Sequence, residues 1–237
     1  MWGLREAGAQ VLVSISAVGT MAVQESSVDD QELLSALGGD FEPGHLAVTR
    51  DVIDSARRGR SFLEGRGFVG HVHPSWGCKH IDALIPGLMR IAQEHNTVLH
   101  DGGVVDVIPG PRFSTPVESE RRRRDGIATA VGMTSDELFA ATEAGFHILG
   151  ILRGTDYDNP PNGGEHVTQR MVQQNLGLTR DVSMAMVKWL AGQLTEEVVA
   201  GWSCNCANRL RGCLATARDA IPVITLRSDP VLGPLFK

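Results

Sequence analysis

Asp156 and Asp158 stand one residue apart in Thr155-Asp156-Tyr157-Asp158, where the apolar run Phe146 to Leu152 closes. Two acids at that spacing on a strand point to the same face. Close together they hold a proton near neutral pH, because both cannot ionise cheaply. A carboxylic acid in a partly apolar pocket can protonate or hydrogen-bond a ring nitrogen as a nitrogen heterocycle departs. Taken alone, the pair also fits two solvated loop acids following a strand.

Further segments supply what such chemistry needs around the acids. Ser16-Ala17 at a strand-to-turn junction and Thr134 just before a helix offer small residues and hydroxyls suited to an oxyanion such as phosphate. Thr134 fits a helix N-cap equally well, with Glu137 completing a capping box. Phe113 offers an apolar wall for a sugar or base, or simple core packing. His71, His73, Cys78 and His80 form His-x-His…Cys-x-His, which superficially suits zinc. No acidic partner lies in that segment, and Cys204, Cys206 and Cys213 lack a fourth ligand in sequence, so no metal is expected. Arg121 to Arg124 reads as a solvated helix face or subunit contact rather than a phosphate or nucleic-acid site.

These residues must be positioned by elements that the periodicity outlines. Val11 to Val18 reads as a buried strand after a short helix ending near Gly8, and strands are expected at His45 to Thr49 and Phe68 to Val72. Cys78 to Glu94 repeats apolar residues at helical spacing, and Val98 to Ile108 is extended with a bend at Gly102-Gly103. A helix starts at Pro116, followed by a strand over Ala128 to Val131, a helix over Ser135 to Ala144 and the strand Phe146 to Leu152. Val167 to Leu194 is a long helix with a break at Gly177, and another runs from about Asn205 to Asp219. Ser26 to Gly39 reads as a polar excursion with a helix at Asp29 to Leu37, and Asn159 to Gly164 as a loop. Alternating strands and helices argue for an α/β sheet covered by helices.

At 237 residues the chain suits one large domain or two small ones. A net charge of −6 argues against nucleic acid or an anionic membrane as a main partner. The four cysteines lack framework spacing, which fits a reducing compartment. No run approaches the roughly 18 apolar residues needed to span a bilayer, and no signal peptide is visible, so a cytoplasmic location is expected.

In their order and separations, Gly110-Pro111-Arg112-Phe113-Ser114-Thr115-Pro116-Val117-Glu118-Ser119, Gly132-Met133-Thr134 and Thr155-Asp156-Tyr157-Asp158 resemble the purine nucleoside phosphorylase family. The methylthioadenosine phosphorylase branch is the most similar. The resemblance runs from Trp2 to about Leu194 and is clearest from Val104 to Asp158. It includes Ser16-Ala17-Val18-Gly19-Thr20 and Pro43-Gly44-His45 leading to Asp51-Val52-Ile53-Asp54.

The resemblance implies a single-domain nucleoside phosphorylase-like α/β fold over residues 1–220, a central mixed sheet flanked by helices, with 221–237 as an irregular tail. It implies phosphorolysis of a purine nucleoside, preferably S-methyl-5'-thioadenosine, with inorganic phosphate as co-substrate and no other cofactor. Ser16, Ala17 and Thr134 match the family's phosphate contacts, Met133 its ribose contact, and Phe113 and Ser114 its nucleoside pocket. Asp156 and Asp158 match the acids that grip the purine at N7 and its exocyclic group, with Tyr157 between them in the substrate site. A homotrimer is implied, with no nucleic acid or membrane partner. Cys204-Asn205-Cys206 resembles a Cys-x-Cys of some members and is read as structural or redox-protective.

Several departures accompany the match. The resemblance opens where the family is already well under way, so its Gly-rich first strand and Arg-His phosphate segment would lie upstream of Met1, or half of the phosphate site is absent. Arg153-Gly154 replaces a small apolar pair, and a charge there is costly unless paired. Asp136-Glu137 replaces the family's Pro-Glu, and Gln169 stands where an apolar lid residue is common. Adenosine, inosine-type or methylthioinosine substrates therefore stay open, as does a non-catalytic purine-binding or partner-subunit homologue.

Overall fold

The computed structural model describes residues 1–21, 41–56, 61, 77–132, 135–158 and 167–209. Expectations for Ser26 to Gly39, Phe68 to Val72, His71, His73, Met133, Thr134, Asn159 to Gly164, Cys213 and the tail 221–237 fall outside them. So does the predicted helix to Asp219 beyond residue 209.

Among the described residues seven strands form one mixed sheet: β1 (Val11–Thr20), β2 (Leu46–Val48), β3 (Asp51–Asp54), β4 (Leu99–His100), β5 (Val104–Val107), β6 (Ala130–Gly132) and β7 (His147–Tyr157). Their spatial order is β3-β5-β6-β1-β7-β2-β4. The β1–β7, β2–β4, β3–β5 and β5–β6 pairs are parallel, and β1–β6 and β2–β7 antiparallel. The helices are α1 (Trp2–Glu6), α2 (Lys79–Asp82), α3 (Ile85–Glu94), α4 (Pro116–Asp125), α5 (Ser135–Glu143), α6 (Gln169–Leu178), α7 (Arg180–Gln193) and α8 (Glu196–Ala200), with a 3-10 turn at Cys206–Asn208.

The two central strands are apolar on both faces because helices cover both. Val11, Val13, Ile15, Leu149 and Ile151 pack against Leu88 and Ile91 of α3 and Val182, Met186 and Leu190 of α7. On the other face Leu12, Phe146 and Ile148 meet Leu138 and Ala141 of α5. Helix α3 buries Ile85, Leu88, Ile91 and Ala92, a spacing of three and four residues that keeps one stripe inward. It approaches α7 closely at Gly87, where an added Cβ would lie 2.4 Å from the Trp189 ring.

The sheet of α/β class matches the sequence reading, with four differences of detail. The continuous helix expected from Cys78 to Glu94 is two helices, because Pro86 lacks an amide hydrogen and sits in the first turn of the second. The break in the long C-terminal helix falls at Thr179 rather than Gly177. Thr179 is held there by two bonds, accepting from Arg153 Nε at 2.8 Å and donating to the Asn175 carbonyl at 3.3 Å. Arg153 Nη2 also donates to the Leu176 carbonyl at 2.5 Å, so the charge that looked costly is hydrogen-bonded, though burial still lowers its pKa. Asp51–Asp54 is a strand, and α8 lies in a stretch the periodicity left unassigned. No helix among the described residues is long and apolar enough to cross a membrane.

Candidate active site

The strand that carries the acids does not stop at Leu152. β7 continues to Tyr157, because β1 pairs with it from Val11↔His147 to Thr20↔Tyr157. Asp156 therefore lies within the sheet, 5% exposed, and Asp158 follows at its end, 6% exposed. Solvated loop acids they are not.

One irregularity sets their direction. Ala17 pairs with Arg153 and Val18 with Gly154, but Gly19 pairs with Asp156, so Thr155 is one residue too many. Such an insertion re-aims the side chains that follow it. Uninterrupted alternation would place Asp156 on the face of Gly154 and Thr20. Instead it takes the face of Gly19, whose added Cβ would lie 3.1 Å from Asp156 Oδ2 and 3.3 Å from Asp158 Cβ. Gly154 is required on the opposite face, where an added Cβ would meet the Glu42 carbonyl at 2.6 Å. The shift is held by a hydroxyl and a side-chain amide: Thr20 Oγ1 donates to the Asp156 carbonyl at 3.1 Å, and Asn175 Nδ2 to the Thr155 carbonyl at 2.6 Å.

Thr155 Oγ1 lies 3.1 Å from the Val18 carbonyl and 2.6 Å from Asp156 Oδ1. A hydroxyl has one proton for two acceptors. The Thr155 proton can therefore be given to the Asp156 carboxyl or to the Val18 carbonyl, but not fully to both. Burial pushes the Asp156 carboxyl above its ordinary range, and the Asp158 charge adds to this, while the Thr155 contact pulls the other way. The Asp156 carboxyl therefore holds its proton more tightly than a solvated carboxyl does.

Asp158 is held differently. Its Oδ2 accepts from Ser119 Oγ at 2.6 Å and lies 3.6 Å from Arg122 Nη1. Arg122 Nε donates to Asp106 Oδ2 at 2.5 Å and its Nη1 to Ser114 Oγ at 3.0 Å. Arg123 Nη2 donates to the Asp158 carbonyl at 2.8 Å. The Asp106, Arg122 and Asp158 side chains are each 7–8% exposed. Asp106 and Asp156 share one transverse row of the sheet, through the pairs Asp106↔Val131, Val131↔Gly19 and Gly19↔Asp156. Helix α4 lays Arg122 along that row.

The arginine run is therefore corrected in part. Arg121 and Arg124 are solvated, their side chains 83% and 77% exposed, whereas Arg122 and Arg123 turn inward. A signal was present: Asp106 sits in Val104-Val105-Asp106-Val107, and a carboxylate in so apolar a strand requires a cation. The start of α4 was legible too. Thr115 Oγ1 caps the Glu118 amide and Glu118 returns to the Thr115 amide, a capping box with Pro116 in the first turn. Arg112 grips Glu118 with two bonds of 2.8 Å, which with the Thr115 amide hold Glu118 down at about 2.

The remaining predicted residues are distributed around the acids. Ser114 is buried within the Arg122 network, while Phe113 and Tyr157 are 50% and 37% exposed. Ala17 is exposed on the face of Gly19, whereas Ser16 is half-buried on the other, its Oγ 3.4 Å from the Ala17 carbonyl. Three residues of strand, about 10 Å, separate Ser16 from Gly19. Of Ser16 and Ala17, Ala17 shares the Asp156 face and the Ser16 side chain does not. An open cleft lined by Asp54, Asp106, Glu118, Arg121 and Arg122 lies behind α4 and shares only the ion network with this site.

Gly19→Ala tests the arrangement directly. Its methyl would press on the Asp156 carboxyl from 3.1 Å. We expect about a tenfold loss of turnover from that misplacement, with the melting temperature nearly unchanged. Equal losses of turnover and stability would instead mark Gly19 as a packing residue only.

A family model described as the phosphorylase superfamily matches residues 35–188. The chain is 30% identical over 233 residues to the S-methyl-5'-thioadenosine phosphorylase of Chloroflexus aurantiacus, covering 95% of this chain and 72% of that protein. It is 29% identical to the Geobacter sulfurreducens protein of the same name, covering 98% and 74%. Among solved structures, a methylthioadenosine phosphorylase from an antarctic soil metagenomic library superposes with a TM-score of 0.71 at 25% identity, covering 94% and 72%. The fold is shared as well with the Schistosoma mansoni methylthioadenosine phosphorylase in complex with adenine, at a TM-score of 0.66 and 20% identity, covering 93% and 77%.

Proposed function

Because this chain belongs to the phosphorylase superfamily, we propose that it catalyses phosphorolysis of a purine nucleoside, S-methyl-5'-thioadenosine being the preferred substrate. The observation that carries the reading is Asp156: a buried carboxyl with a raised affinity for its proton, aimed by the Thr155 insertion to the face opened by Gly19. A purine leaves poorly as an anion. As the C1'–N9 bond breaks, its electron pair passes to the base, the Asp156 proton passes to N7, and a phosphate oxygen bonds C1'. Products are free purine and a pentose 1-phosphate.

Asp158 takes no proton in this scheme. Its carboxylate is held by Ser119 and Arg122, so it anchors the end of β7 and orders the pair. Ser16, Ala17 and Thr134 are proposed to hold phosphate, and Phe113, Ser114, Met133 and Tyr157 to line the nucleoside. The exposure of Phe113 and Tyr157 supports a wall completed by ligand or by a neighbouring copy, in keeping with a cytosolic homotrimer.

The test is phosphate-dependent release of base. Incubation with S-methyl-5'-thioadenosine and phosphate is expected to yield adenine, and omission of phosphate to abolish it. Adenosine, inosine and methylthioinosine serve as competitors that rank the substrates. A folded sample that releases no base from any of the four would overturn the reading and favour a ligand-binding homologue.

A further inference from the structure

At the opposite end of β7 from the acids, three thiols and an imidazole converge. Cys78 stands at the N-terminus of α2, His147 opens β7, and Cys204 and Cys206 follow α8. Their ligand atoms all lie within 4.8 Å of one another. Cys78, His147 and Cys206 are buried and Cys204 half-buried. His147 Nδ1 lies 3.5 Å from Cys78 Sγ and 3.4 Å from Cys204 Sγ, and those two sulfurs are 3.9 Å apart.

Those three edges have the size of a metal tetrahedron's. A tetrahedral ion with metal–sulfur bonds of about 2.3 Å and a metal–nitrogen bond of about 2.0 Å has sulfur–sulfur edges of about 3.8 Å and sulfur–nitrogen edges of about 3.5 Å. The observed edges agree with both. A disulfide would need two sulfurs at about 2.05 Å and would leave the third thiol and the imidazole without a role. Cys78, Cys204 and Cys206 are all free. We infer that Cys78, His147, Cys204 and Cys206 form a structural zinc site that staples the segment after α8 to the start of β7 and to α2.

The surroundings fit that ion. Three thiolates and one divalent cation carry a net negative charge, and Arg209 Nη2 donates to Cys206 Sγ at 3.3 Å, with no carboxylate paired to it among the described residues. Trp202 meets His147 edge-on at 4.7 Å and stacks on His80 at 5.1 Å, covering the imidazole. Bends at Cys204 and Asn205 before the 3-10 turn bring both thiols of the Cys-x-Cys to one side. Four protein ligands leave no open position, so the ion is structural rather than catalytic. Nine residues of strand, about 30 Å, separate His147 from Asp156. Thiolate and imidazole together select zinc over the harder divalent cations.

This departs from the metal-free expectation. The sequence grouping placed His80 with Cys78, but His80 Nε2 accepts from the Ser203 amide at 3.1 Å. The missing fourth ligand is His147, 57 residues before Cys204.

The test uses the full chain without an affinity tag, produced with zinc and purified without chelator. Elemental analysis is expected to give about one zinc per chain, and cobalt exchange the intense bands of a tetrahedral thiolate site. Cys206→Ser and His147→Ala are expected to lose the metal, and stripping by chelator to lower the melting temperature. His147→Cys restores a four-sulfur set and is expected to keep zinc, which decides the matter should the other variants fail to fold. Asp156→Asn binds zinc like the parent, so a failed activity assay leaves this site untouched. Zinc far below one per chain in folded protein, or a mass lower by two hydrogens from a disulfide between these thiols, would overturn the assignment.

Discussion

Asp156→Asn is expected to lower kcat/KM for S-methyl-5'-thioadenosine phosphorolysis by about 100- to 10,000-fold, the usual weight of a positioned acid. The fold should survive, because an amide replaces a carboxyl that burial already disfavours in its charged form. The pH dependence follows in sign. A carboxyl whose folded pKa is raised binds more protons folded than unfolded between its two pKa values, so stability falls as pH rises through that window. Activity that needs the proton falls over the same range and in the same direction. Asp156→Asn should flatten both slopes. Steady-state kinetics and melting curves across the acidic-to-neutral range check this, and activity within about threefold of the parent would remove Asp156 from the chemistry.

The second large effect is on stability. Arg122→Met leaves Asp106 and Asp158 buried without their shared cation, a loss of about 3–5 kcal/mol for a broken buried pair. For a chain of this size that corresponds to a fall of roughly 10 °C in melting temperature. Asp106 Oδ1 already lacks a hydrogen-bond partner among the described residues, so nothing nearby offsets the change. The double variant Asp106→Leu with Arg122→Met should lose less than Arg122→Met alone, because it removes one of the stranded charges. Denaturant unfolding of the parent, Arg122→Met, Asp106→Leu and the double variant measures the coupling. Additive losses would show that the two residues act independently.

Much of this was readable in the sequence, and the unread remainder has a physical reason. The apolar periodicities of β1, α3, α5 and α7 gave those elements because each buries a stripe or a face. The one-residue spacing of Asp156 and Asp158 gave a shared face. That face could not be chosen in advance, since the Thr155 insertion is visible only in the pairing of β7 with β1. Arg122 and Arg121 are identical as letters. Their opposite fates depend on Asp106 and Asp158, which lie 16 and 36 residues away from Arg122. The thiol cluster escaped for the same reason, its fourth ligand opening a strand distant from both cysteine segments.

The ten-position ladder between β1 and β7 carries a further consequence. Opening of β7 from either end is resisted by a neighbour of nearly equal length, which places it among the better protected strands of the described sheet. The proton-bearing end and the sulfur-rich end are therefore two termini of one rigid rod.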